Sequence, residues 1–232
     1  MPYVVPPPSP VTIPVQGETG VFPVRRVYCI GRNYAAHARE MGHDPTREPP
    51  FFFLKPADAI RVAQPDAVLD IPYPPQTTDL HFEVELVVAL GKGGSNIPAD
   101  QAADCVFGYA VGLDLTRRDR QQDMKDLRRP WELGKAFDAS APISPIVPAE
   151  AAGNMAAAAI SLEQNGHTRQ HGNTGQMIWP VAEAISYLST YFRLEPGDLL
   201  FTGTPDGVGP AAAGDVLRAR CQGVGELAIR LV

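Results

Sequence analysis

A chain of 232 residues with 44% hydrophobic content can bury one substantial core, which points to a single domain rather than two. Its net charge of −6 and isoelectric point near 5.3 argue against nucleic acid or an anionic membrane as a partner. The alanine-rich stretch 151–160 is too short and too weakly apolar for a membrane helix, and residues 1–8 lack the basic start and apolar centre of a signal peptide, so the expected location is the cytoplasm.

The 24 prolines and 21 glycines cut the chain into short pieces rich in Val, Ile, Leu and Phe, the profile of a β-rich mixed α/β fold with few helices. Residues 1–20 are proline-rich and read as an N-terminal arm, leaving 21–232 as one domain without internal repeats. A strand is expected over 24–30, followed by a short helix over 34–41 stopped by Gly42. On that helix His37 and Glu40 stand three residues apart and can touch. A carboxylate bonded to one imidazole nitrogen orients the ring and raises its basicity, leaving the other nitrogen to take a proton from water. The bland alternative is an exposed surface pair. Cys29, Cys105 and Cys221 are odd in number and scattered among apolar residues, as free thiols of a reducing compartment are.

A strand at 51–55 precedes the most informative segment, the strand expected over 82–90. Strand side chains alternate, so Glu83 and Glu85 point to one face with His81, while Phe82, Val84 and Leu86 cover the other. Two like charges that close need a cation, and a divalent metal meets the need. A short helix over 99–105 leads to a strand over 106–115, in which Asp114 marks the end of the apolar run and supplies a third carboxylate. Three carboxylates without a cysteine or a histidine pair suit Mg²⁺ or Mn²⁺, with Ca²⁺ as a substitute, and leave coordination positions open for substrate or water. The competing reading of the glutamate pair is a solvated strand face.

A helix over 117–124 follows, within a basic run of Arg117, Arg118, Arg120, Lys125, Arg128 and Arg129 interleaved with Asp119, Asp123 and Asp126. Such a run reads as a solvated helix face, with one arginine reaching a dianionic substrate as the sharper alternative. Strands over 160–164, 199–203, 216–221 and 225–231 and a helix over 180–192 complete the chain, and Phe51 to Phe53, Phe82, Trp131 and Trp179 read as core or interface residues. The run Gly203-Thr-Pro-Asp-Gly-Val-Gly is a turn whose backbone N–H groups can also meet an anion.

Six motifs in order, Gly31-Arg-Asn-Tyr, Phe53-Leu-Lys-Pro56, His81-x-Glu83-x-Glu85, the stretch from Gly108-Tyr through Asp114 to Arg118-Asp119, Lys135-x-Phe-Asp and Gly203-Thr-Pro-x-Gly-Val-Gly-Pro210, resemble the fumarylacetoacetate hydrolase superfamily. The resemblance spans 24–232, and the wording of 129–142 is most similar to its bacterial fumarylpyruvate hydrolase and acylpyruvase branch. It implies a β roll with flanking short helices, a homodimer, and a Mg²⁺ or Mn²⁺ ion on Glu83, Glu85 and Asp114. It assigns His37 and Glu40 to water activation, Lys135 to the metal and substrate oxygens, and Arg118, Gln121 and Thr204 to a small oxo acid substrate. The implied reaction is hydrolysis of a carbon–carbon bond in a 2,4-dioxo acid, with fumarylpyruvate giving fumarate and pyruvate, a step of aromatic degradation. A general acylpyruvase, an oxaloacetate decarboxylase and a non-catalytic metal-dependent binding protein stay open beside it. The last would need the carboxylates without a base, against which the His37 and Glu40 pair stands.

Overall fold

The computed structural model describes residues 2–41 and 48–232. Strands β1 (Thr12–Pro14), β2 (Val21–Pro23) and β3 (Val27–Gly31) precede helix α1 (Ala35–Glu40). Then come β4 (Phe51–Lys55), β5 (Ile60–Val62), β6 (Val68–Ile71), β7 (Leu80–Phe82), β8 (Val84–Leu90), β9 (Val106–Leu113) and β10 (Thr116–Arg117). Helices α2 (Arg118–Asp126) and α3 (Glu132–Lys135) lead to β11 (Ala141–Ile143), β12 (Val147–Pro148), α4 (Ala149–Ala152), β13 (Ala159–Gln164) and β14 (His167–Asn173). Helix α5 (Val181–Tyr191), β15 (Leu199–Phe201), β16 (Gly209–Ala211), β17 (Val216–Cys221) and β18 (Gly225–Leu231) end the chain.

An eight-stranded sheet in the order β4-β3-β15-β8-β9-β11-β5, with β12 also on β9, faces a five-stranded sheet in the order β14-β13-β17-β18-β6. Val84, Leu86, Val111 and Leu113 from the first sheet pack on Ile160, Leu162, Leu217 and Ile229 from the second. Across the larger sheet, Tyr28, Val88, Leu90 and Leu200 pack against Ile185 and Leu188 of α5. Every residue of β8 is buried, which explains its nearly unbroken run of Val and Leu: a strand covered on both faces has no polar side. The result is the expected β-rich mixed fold.

Strands over 51–55, 216–221 and 225–231 match their expected bounds, and the helix over 180–192 is observed as α5. The Gly42 stop of the first helix lies outside the described residues. The segment 99–105 yields only a 3₁₀ turn, Ala102–Cys105. Within the expected arm β1 pairs with β2, and Ile13 and Val15 are buried in a cluster with Phe22, Val87 and Phe201, while residues 2–10 and 16–21 are exposed. Strand β14, His-Thr-Arg-Gln-His-Gly-Asn, has no apolar alternation because it is the outer strand of its sheet and mostly exposed.

Gly112 on β9 has no room for a side chain: a Cβ there would lie 2.7 Å from Phe201 Cε1 and 2.8 Å from Val87 Cγ2. Gly112→Val should therefore destabilise the protein by about 1–3 kcal/mol through overpacking, read as a lower denaturant midpoint at unchanged slope. Gly20→Ala, with nothing within 4 Å of the added carbon, is the expected near-neutral control.

Candidate active site

The pairing of β8 with β9 sets Glu85 opposite Gly112 and Val84 opposite Leu113. One step further the Asp114 amide donates to the Glu83 carbonyl at 2.9 Å. Cross-strand partners share a face, as do residues two apart, so Glu83, Glu85 and Asp114 stand side by side. One oxygen from each lies within 4.8 Å of the others, and the residues are 5%, 2% and 1% exposed. His81, expected on the same face, is not in this group: it lies on β7, in a separate three-stranded sheet, and its Nε2 sits 2.9 Å from Asp79 Oδ1. The chain changes sheets at Glu83, and the alternation ends there.

Three cations meet the carboxylates. Lys135 Nζ lies 2.8 Å from Glu83 Oε2 and 2.5 Å from Asp114 Oδ2, Arg118 Nη2 lies 2.5 Å from Glu83 Oε1, and Lys55 Nζ lies 2.9 Å from Asp114 Oδ1. Lys55 also donates to the carbonyl oxygens of Lys135 and Leu115. Burial alone would raise Glu83, but Lys135 and then Arg118 outweigh it and hold its carboxyl well below the usual range. Glu85 differs. Burial, then Asp114 and Glu83, push its carboxyl well above the usual range against the weaker pull of Lys135 and of the Gly203 amide, which donates at 2.8 Å. A cluster of three hard oxygens with one carboxylate lacking a cation of its own among the described residues fits a hard divalent ion.

The turn after β15 ties this centre to α1. Gly203 adopts φ +91°, and a Cβ there would lie 2.7 Å from Asn33 Cβ, so glycine is needed both for the backbone and for the approach. Asn33 Nδ2 donates to the Thr202 carbonyl at 2.8 Å. Further along, the Gly207 amide donates to Glu40 at 3.1 Å, and Glu40 Oε2 lies 3.4 Å from His37 Nδ1. His37 is buried; desolvation lowers its pKa below 6.5 despite the opposing pull of Glu83 and Glu40. Thr204 Oγ accepts from Gln170 Nε2 at 2.8 Å, and Gln121 Oε1 accepts from Arg118 at 2.8 Å.

One cleft is lined by eight of the nine sequence-predicted site residues: His37, Glu83, Glu85, Asp114, Arg118, Gln121, Lys135 and Thr204. The ninth, Glu40, stands behind His37. Sequence reasoning missed Lys55, although period two puts it on the face of β4 that also carries Phe51 and Phe53. It also gave Phe51, Phe53 and Trp131 to core or interface, whereas all three line the cleft. The basic run is divided: Arg118 and Lys125 face the cleft, while Arg120 pairs with Asp119 and Asp123 near the surface.

The family model described as fumarylacetoacetate (FAA) hydrolase C-terminal matches residues 26–232. A fumarylpyruvate hydrolase of a Ralstonia species is 42% identical over 80% of this chain and 94% of its own. The oxaloacetate tautomerase of Escherichia coli is 41% identical over 90% of this chain and 93% of its own. Among solved structures, fumarylpyruvate hydrolase from Pseudomonas aeruginosa in complex with Mn²⁺ and pyruvate is 55% identical, with a TM-score of 0.98 over 100% of this chain and 99% of that one.

Because the Glu85 carboxyl is raised in the metal-free protein, Mn²⁺ binding should release protons and weaken as pH falls. Calorimetry in buffers of different ionisation enthalpy measures both. Asp114→Ala should abolish the binding, and an unchanged affinity in that variant would remove the ligand assignment.

Proposed function

We infer the function from a fact that the family match and the identities establish: this chain belongs to the fumarylacetoacetate hydrolase family. The reading supported best is metal-dependent hydrolysis of a carbon–carbon bond in a 2,4-dioxo acid, with fumarylpyruvate and water giving fumarate and pyruvate. The observation that carries it is one cleft lined by both the carboxylate triad and His37. A Mg²⁺ or Mn²⁺ ion on Glu83, Glu85 and Asp114 would supply Lewis-acid polarisation of the substrate's carboxylate and 2-oxo oxygens.

The side chains do the rest. His37 is neutral at pH 7, chiefly because burial lowers its pKa, and takes a proton from water at Nε2 while Glu40 steadies Nδ1. Hydroxide adds to C4, the tetrahedral adduct collapses, and the C3–C4 electron pair moves onto the pyruvate fragment as an enolate. The Lys135 ammonium faces the oxygen on which that charge grows. Gln121, whose carbonyl is engaged by Arg118, keeps its NH₂ free to donate to the substrate carboxylate, and Thr204, already accepting from Gln170, donates its hydroxyl there too. The proton that His37 took from water, returned to C3, completes pyruvate and restores the neutral imidazole.

A second reading is supported by the oxaloacetate tautomerase relative: oxaloacetate can use the same oxygens and form its own enolate at C2–C3 without any attack by water. Product analysis separates the two. We place the protein in the cytoplasm as a homodimer acting in aromatic catabolism. Three buried free cysteines and the open edge of β4, with Leu54 44% exposed, support the location and the dimer respectively. No helix among the described residues is long and apolar enough to cross a membrane.

Chelation should abolish pyruvate release from fumarylpyruvate, and Mg²⁺ or Mn²⁺ should restore it. His37→Ala should keep Mn²⁺ and oxalate binding yet lose about a hundred-fold to ten-thousand-fold in hydrolysis, the span of a general base; an unchanged rate would remove His37 from the chemistry. A base must be unprotonated to act, so kcat/KM should be flat above neutrality and fall on acidification with a midpoint below 6.5.

A further inference from the structure

The cleft has a second bank of positive charge that the reaction as written leaves unused. Arg32 and Lys125 both line it. Arg32 Cζ lies 5.4 Å from the centre of the Phe51 ring, Phe51 meets Trp131 edge-on at 5.2 Å, and Lys125 Nζ lies 5.3 Å from the Trp131 ring. Phe53 extends the aromatic strip, 6.0 Å from Trp131 and 5.0 Å beneath the Lys135 ammonium. A strip of rings therefore runs from the carboxylate triad to two further cations.

Among the described residues neither side chain makes a hydrogen bond or an ion pair: Glu83 acts on Lys125 and the exposed Glu48 on Arg32 only from a distance. Burial lowers both; for Lys125, with Arg118, Arg32 and Lys135 adding to it, the ammonium drops to about 8. Half-buried charges that repel one another across a cleft are relieved by an anion bound between them. Arg32 also adopts φ +56°, a backbone conformation that favours glycine, so the side chain is not there for the sake of the turn.

We propose that Arg32 and Lys125 are the residues that set specificity at the distal end of the dioxo acid, holding its second carboxylate while the arm between lies along Phe51, Phe53 and Trp131. The proposal deepens the dioxo-acid reading and rests on it for the orientation of the substrate. A planar unsaturated arm presents its face to the rings, and its terminal carboxylate meets the two cations.

The test uses two non-hydrolysable 2-oxo acids of equal length on the Mn²⁺-loaded protein: 2-oxoheptanedioate and 2-oxoheptanoate, which differ only in the distal carboxylate. By calorimetry the diacid should bind about ten-fold or more tightly, as a charge-assisted contact predicts. Arg32→Gly, which suits the backbone, and Lys125→Met, which keeps the stem, should each bring the ratio toward one with oxalate affinity unchanged. Equal binding by the wild type, a ratio that survives both substitutions, or parallel loss of oxalate binding would overturn the proposal. Rates on fumarylpyruvate and acetylpyruvate separate the two readings. A diacid preference without hydrolysis of either sinks the hydrolase and keeps the subsite, whereas hydrolysis with a ratio of one does the reverse.

Discussion

Three carboxylates confined to one buried face dictate the architecture around them. At the separations within the triad each pair repels by about 3–4 kcal/mol even at an effective dielectric of ~20, and the sum rivals the whole stability of a domain. Positive charge must therefore be brought in, and it arrives from three different elements: Lys55 from β4, Arg118 from the start of α2 and Lys135 from the end of α3. A single electrostatic demand thus fastens the edge strand and two short helices to the centre of the large sheet. Neither helix has a side-chain cap, and α3 is four residues long; contacts to the triad hold them in place rather than intrinsic helicity.

The same balance shapes what the cleft can take. Lys55, Arg118 and Lys135 match the triad charge for charge, so a divalent ion adds a surplus of two, and Arg32 and Lys125 add more at the far wall. A neutral ligand would leave that surplus standing. An oxo acid with one carboxylate removes part of it, and a dianion removes more. Electrostatics alone ranks the ligand classes before any particular contact is considered.

Much of this was legible because it rests on local pattern. Period two read Glu83 and Glu85 onto one face, and the polar end of an apolar run picked out Asp114, since strand alternation and burial leave marks in neighbouring residues. The i, i+3 spacing did the same for His37 and Glu40. What could not be read was long-range. Lys55 and Asp114 are far apart in the chain, and only the sheet order brings them to 2.9 Å. Phe51 and Trp131 look like core residues because aromatic side chains usually are, and only the placement of β4 beside α3 makes them a wall of the cleft. Strand β14 hid because its residues are polar on an exposed outer strand, and the arm hid because β1 is three residues between prolines.

The proposed chemistry divides along the same line. An enolate of a 2-oxo acid is the common species in hydrolysis of a 2,4-dioxo acid and in loss of CO₂ from oxaloacetate, where pyruvate carries it, and in tautomerisation of oxaloacetate, which keeps its second carboxylate, so the triad and Lys135 would serve any of these reactions and not choose among them. The choice lies with the groups that treat the other half of the substrate. Water activation needs a neutral imidazole held at a fixed angle, and here that angle depends on Glu40, itself gripped by the Gly207 amide of the turn whose Gly203 amide grips Glu85. One turn therefore sets His37 against the carboxylates. Gly207 holds φ +89°, and a Cβ there would collide with the Arg169 carbonyl, so the turn has little freedom to move His37 away. A cleft built only to stabilise an enolate would not require that coupling; one that must deliver hydroxide to C4 while C2 stays in place does.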